Sequence, residues 1–194
     1  YNYIMWLICG LGNPGKKYLH TRHNIGFDIL DALVKKYSLN IIKKDKLKEI
    51  YKGNINNIEC ILCKPLVFVN QSGMIVKKIS KFYQIPNKNI LMIHDDLDLK
   101  LSKVKVKIGG GNGGHNGLLD TDKNIGKDYK RLRFGIDHPG DKKLVSSYVL
   151  KKFTREHREI VNQMIEIISI HFPLIFDNES LFLTKILAKT FSEK

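Results

Sequence analysis

The sequence predicts an α/β fold in a single domain. Apolar runs that read as buried strands alternate with segments of helical periodicity. A chain of 194 residues with 43% hydrophobic content can bury one full-sized core but not two comfortable ones, so residues 1–194 are read as one domain. Polar and glycine-bearing clusters fall where elements end, the place where α/β proteins keep their sites.

Taken in order, "IMWLIC" (Ile4 to Cys9) is a near-continuous apolar run, as expected of a strand buried on both faces. The polar "KKYLHTRHN" delays the next helix to about Asn24, after which Leu30, Leu33, Val34 and Tyr37 recur at helical spacing. "NIECILCKPLVF" reads as another strand, and "SGMIVKKISKFYQIP" as a helix with Ile75, Ile79 and Phe82 on one side, stopped by Pro86. "NILMIH" (Asn89 to His94) repeats the buried-strand texture. The next two strands differ: Lys103, Lys105 and Lys107 alternate with Val104, Val106 and Ile108, and Arg131 and Arg133 alternate with Leu132, Phe134 and Ile136. Each therefore has one basic face, either a solvated surface or a phosphate-contacting one. "REHREIVNQMIEIISIHF" and "LFLTKILAKTF" read as closing helices.

The charge balance narrows the partners. Lys and Arg number 33 against 19 Asp and Glu, a net +14, which favours an anionic partner such as nucleic acid or a membrane surface. No apolar run approaches the roughly 20 residues of a spanning helix, and no signal peptide opens the chain. The expected location is the cytoplasm, or an organelle matrix should a targeting segment precede Tyr1. Cys60 and Cys63 form a C-x-x-C, but residues three apart on a strand point to opposite faces and no second pair or nearby His completes a metal set. Cys9, Cys60 and Cys63 are read as structural.

"GLGNPG" (Gly10 to Gly15) matches the G-x-G-x-x-G dinucleotide fingerprint. The match fails on context: no helix opens directly after it, and Lys35 and Lys36 stand about 20 residues on, where the ribose-binding acid belongs. The glycines instead shape a sharp turn that projects Asn13, whose amide offers both a donor and an acceptor. Further clusters are "TRHN" (Thr21 to Asn24), "FVNQSG" (Phe68 to Gly73), "HDDLDL" (His94 to Leu99) and "GGGNGGHNG" (Gly109 to Gly117). His23 has the pKa range to take a proton from water, and Asp95 could hold its imidazole in one tautomer. Asp95, Asp96 and Asp98 could instead gather a metal with His94, although neighbouring strand-end acids point apart. With no G-x-S-x-G elbow and no base beside the cysteines, water is the better nucleophile.

These segments, "GLGNPGKKYLHTRHNIGF", "FVNQSG", "HDDLDL", "GGGNGGHNGL" and "RLRFGIDHPGD", resemble in order the signatures of bacterial-type peptidyl-tRNA hydrolase, from Leu7 to about Tyr148. The resemblance implies a twisted mixed sheet flanked by helices. It also implies hydrolysis of the ester joining a peptide to the terminal ribose of tRNA, without metal or cofactor, by a monomer with no obligatory protein partner and no membrane. It makes His23 the general base, Asp95 its orienting acid and Asn13 a substrate contact near the ester. Asn70 and Asn116 would hold the peptide backbone and the tRNA 3' end, Tyr18 and Phe68 would line the cleft, and Lys107 and Arg133 would contact tRNA phosphate. Val69, Asp96 and Asn112 stand where the family usually has Met, Glu and His, and "DTDKNIGKDY" is short for it.

Overall fold

A computed structural model describes residues 4–190. Its strands are β1 (Met5–Gly10), β2 (Asn40–Lys44), β3 (Lys48–Ile55), β4 (Ile58–Pro65), β5 (Ile90–Asp96), β6 (Val104–Ile108) and β7 (Lys130–Gly135). The helices are α1 (Ile25–Lys36), α2 (Ser72–Phe82), α3 (Asn116–Ile125), α4 (Val145–Val149), α5 (Arg155–His171) and α6 (Glu179–Thr190). The strands form one seven-stranded sheet in the order β2-β3-β4-β1-β5-β7-β6. Its centre, β4-β1-β5-β7, is parallel, and β2, β3 and β6 add antiparallel edges, so the sheet is mixed as expected.

Alternate residues of the central strands feed two cores. Trp6, Ile8, Leu62, Ile93 and Phe134 pack with α1, α5 and α6, while Leu7, Cys9, Cys63 and Met92 pack with α2 and α3. The two cysteines of the C-x-x-C thus point into opposite layers, as their spacing requires. Burial pushes the Cys60 thiol up to about 12 and, with Cys63 beside it, raises Cys9 well above the usual thiol range. All three thiols are free and buried.

The glycines of the opening turn act through close approach. A Cβ on Gly10 would lie 2.3 Å from the carbonyl oxygen of Gly26, and one on Gly26 would lie 2.4 Å from that of Ile93. Helix α1 therefore rests directly on the β1–β5 pair, bringing the turn before it to the strands' C-terminal ends.

Four elements escaped the sequence reading. β2 is exposed along its whole length and β3 mostly half-buried, so neither shows an apolar run. Helix α3 buries only Gly117, Leu118 and Thr121, and α4 has five residues, too few for a period to emerge. The predicted last helix ends at Phe191, which lies outside the described residues. No helix of the described residues is long and apolar enough to cross a membrane.

Candidate active site

Three elements meet at one carboxylate. Asp95 lies near the end of β5, His23 in a 3-10 turn (Arg22–Asn24) ahead of α1, and His115 at the N-cap of α3. Asp95 Oδ1 lies 2.8 Å from His23 Nδ1 and 2.9 Å from His115 Nε2. Burial alone would raise the Asp95 pKa, but its two imidazole partners outweigh that and hold it well below the usual carboxylate range. The ionised carboxylate only accepts, so both imidazoles donate to it. His23 is thereby fixed as the Nδ1–H tautomer, leaving the Nε2 lone pair free, and the residue lines a cleft of about 750 Å³. Burial opposes the charged form of His23 most strongly, yet the field and hydrogen bond of Asp95 together prevail and raise its pKa above the ordinary 6.5.

The neighbouring histidines are fixed in other ways. His115 Nδ1 accepts from the backbone N–H groups of Gly117 and Leu118, at 3.1 and 3.4 Å, so its only N–H is the one given to Asp95. His94 donates from Nδ1 to the Asp95 carbonyl oxygen at 2.7 Å. Burial, then the field of His115, pushes the His94 pKa down to about 3, which keeps it neutral at any working pH.

The amide of Asn13 is oriented just as firmly. Asn24, 1% exposed, pairs with the Asn13 backbone, accepting its N–H and donating to its C=O, both at 2.9 Å. Asn13 Oδ1 accepts the Val69 N–H at 2.9 Å, from a residue 56 positions away. The carbonyl end of the side chain is therefore occupied and its NH2 end is left for a ligand in the cleft. Of the two roles an amide offers, the fold selects the donor.

Asn13, His23, Phe68, Asn70, Asp95 and Asn116 all line the cleft. Tyr18 is not among its lining residues; it sits half-buried in a separate 3-10 turn (Lys16–Tyr18). Lys107 and Arg133 line a second cavity of about 250 Å³ beside the first. Asp96 accepts from Arg133 Nε at 2.6 Å, which leaves the terminal guanidinium nitrogens for an anion. Asp95 and Asp96 thus point apart, as expected of adjacent strand residues. The basic face of β7 is only partly a surface: Arg131 is 2% exposed and pairs with Asp122 while donating to the carbonyls of Gly110 and Gly111. It clamps the glycine-rich loop from beneath.

Asn24 and the bond from His115 to Asp95 were not found in the sequence, where both residues read as parts of polar clusters. The signals present were an Asn 11 positions after another strand-end Asn, and a His just before the α3 helix. The wall of the cleft formed by Val145, Ser146, Val149 and Leu150 left no such signal.

His23, Asp95 and His115 place one ligand atom each within 4.8 Å of one another, a spacing that could hold a metal. The hydrogen bonds do not suit one. A histidine that ligates through one ring nitrogen gives the other N–H to an acceptor, whereas the second nitrogen of His115 faces two N–H donors. The arrangement fits two N–H donors on a buried carboxylate better than a cation.

Comparison with known proteins gives a consistent result. A family model described as peptidyl-tRNA hydrolase matches residues 7–193. The peptidyl-tRNA hydrolase of Rickettsia bellii (strain RML369-C) is 45% identical over 176 residues, covering 90% of this chain and 95% of the relative. That of Bartonella henselae is 43% identical over 183 residues, covering 94% and 95%. Among solved structures, peptidyl-tRNA hydrolase from Acinetobacter baumannii superposes with a TM-score of 0.88 at 38% identity, covering 96% of each chain.

Proposed function

The chain belongs to the peptidyl-tRNA hydrolase family, and from that premise we propose how its residues perform the reaction. The enzyme hydrolyses peptidyl-tRNA, releasing peptide and free tRNA. In our reading His23 Nε2 takes a proton from a water molecule as its oxygen attacks the ester carbonyl carbon. Asp95 keeps the imidazole in the productive tautomer and stabilises the imidazolium that forms. The negative charge that gathers on the carbonyl oxygen is met by the NH2 group of Asn13. Collapse of the tetrahedral intermediate breaks the bond to the ribose oxygen, which leaves with the proton held on His23 Nε2. The products are a carboxylic acid and a tRNA hydroxyl, with neutral His23 restored.

The observation that carries this reading is the 2.8 Å contact of His23 Nδ1 with a carboxylate that can only accept, because it leaves the imidazole's lone pair on Nε2. An ester is an easier target than an amide, so one oriented base with fixed donors suffices without a metal, a cofactor or a covalent step. Asn70 and Asn116 hold the peptide backbone and the tRNA 3' end, with Phe68 against them. Lys107 and Arg133 hold a tRNA phosphate, which fits the net charge of +14 and predicts salt-dependent binding. We assign the enzyme to the cytoplasm as a monomer. The reading is tested by supplying N-acetylated and free aminoacyl-tRNA: tRNA is released from the blocked substrate far faster than from the free one, and equal rates on the two would refute the substrate assignment.

A further inference from the structure

The residue next to the base points away from the cleft and does something different. Arg22 is 7% exposed, and its guanidinium Nη1 donates to the carbonyls of Tyr148, Lys151 and Lys152 at 3.3, 3.2 and 3.1 Å. The same guanidinium stacks over the Tyr148 ring at 4.0 Å and lies 5.3 Å from that of Phe153. The Arg22 N–H adds a bond to the Lys151 carbonyl at 3.1 Å, and Thr21 pairs with Lys152 in a short antiparallel bridge.

These contacts converge on the C-terminal end of α4. A five-residue helix lies far below the length that is stable by itself, and its last carbonyls have no partners within the helix. None of its residues is fully buried, and only Tyr148 and Val149, at its C-terminal end, pack against the edge of the main core. Beyond that packing, it is tied by Arg22 on one side and by the bond from Tyr148 Oη to the Ile136 carbonyl, at 2.6 Å, on the other. Yet α4 and the residue after it supply Val145, Ser146, Val149 and Leu150 to the cleft that contains His23.

We infer that Arg22 is a positioning residue, locking the α4 wall of the cleft to the turn that carries His23 so that wall and base move as one body. It has no role in proton transfer: the hydrogen bonds and ring contacts its guanidinium makes go to the segment from Tyr148 to Phe153, none to His23 or Asp95. The wall sets where the ester sits against His23 Nε2, and a misplacement of about 1 Å there can cost about 100-fold in rate. This inference rests on the reading of His23 as the base.

The test compares Arg22→Ala and Arg22→Lys with the wild-type enzyme on N-acetyl-aminoacyl-tRNA, and measures amide hydrogen exchange across residues 145–152. Exchange in that segment should accelerate in both variants, most in Arg22→Ala, with exchange in the central strands unchanged. kcat should fall about 10- to 100-fold in Arg22→Ala, with affinity for deacylated tRNA and the pH at half-maximal kcat unaltered. Added guanidinium ion at millimolar concentration should restore part of the Arg22→Ala rate and leave the wild type unaffected. Unchanged exchange over 145–152 would overturn the inference whatever the rates, and so independently of the assignment of His23. Faster exchange with kcat within twofold of wild type would overturn the link to catalysis. A moved pH midpoint would show that Arg22 acts on His23 itself, which also contradicts it. Should Arg22→Ala not fold, Arg22→Lys, which keeps the charge but not the three-carbonyl reach, decides on the same readouts.

Discussion

Replacing Asp95 by Asn probes the shared carboxylate with little change of shape. Both imidazoles donate to the same oxygen, Oδ1. A substituted amide that places its carbonyl oxygen there keeps both hydrogen bonds but loses their charge. A hydrogen bond to a charged group contributes about 1.5–3 kcal/mol, so loss of that contribution as the imidazolium forms lowers kcat by roughly 10- to 150-fold. An amide turned the other way would face two N–H donors with its own NH2, driving His23 into the wrong tautomer, and the loss would then approach about 10⁴-fold. The pH profile gives the sharper signature. His23 acts as a base only when neutral, and Asp95 is what raises its pKa above 6.5 against the opposing effect of burial. Wild-type kcat should therefore rise with pH through a midpoint above 6.5, and in Asp95→Asn the midpoint should move to lower pH as burial prevails. Single-turnover release of tRNA from N-acetyl-aminoacyl-tRNA between pH 5 and 9 measures both effects. A midpoint unmoved by the substitution would refute the pairing of His23 with Asp95 as the determinant of base strength.

Other substitutions test separate links. Asn13→Asp keeps an oxygen for the Val69 N–H but removes the donor facing the cleft, so kcat should fall by about 10²–10³, the usual cost of losing one oxyanion donor. Asn24→Ala deletes both bonds to the Asn13 backbone; steady-state kinetics should show reduced kcat, and calorimetry a destabilisation of about 1–3 kcal/mol from the stranded backbone groups. Arg133→Gln should weaken tRNA binding alike for different tRNAs and reduce the slope of log affinity against log salt by about one, with kcat at saturation little changed.

Much of this was legible because the core writes itself in periodicity. The runs at β1 and β5 are buried on both faces and contain almost no polar residue until the site begins, so Asn13 and Asp95 stood out as strand-end polar groups. The helix delayed to Asn24 was legible too, and it separated the glycine turn from a dinucleotide site; the 3-10 turn that carries His23 fills that gap. What stayed hidden depends on distant pairings. The basic face of β7 looked uniform, yet Arg131 is enclosed beneath the glycine-rich loop and Arg133 is not, a difference set by a loop some 20 residues away. The donor role of Asn13 depends on the backbone of Val69, and the wall of α4 on a clasp from Arg22, more than 120 residues earlier. Tyr18, assigned to the cleft through the resemblance, is not among its lining residues and lies in a separate 3-10 turn ahead of the one that carries His23.

The central claim is that His23 activates the attacking water. It is tested most directly by single-turnover hydrolysis of N-acetyl-aminoacyl-tRNA by His23→Ala at saturating enzyme, with tRNA affinity and thermal stability measured on the same preparation. The account predicts a rate lower by about 10²–10⁴, the range for losing a general base, with tRNA binding and folding preserved. A folded variant that binds tRNA normally and hydrolyses within a few-fold of the wild-type rate would contradict it.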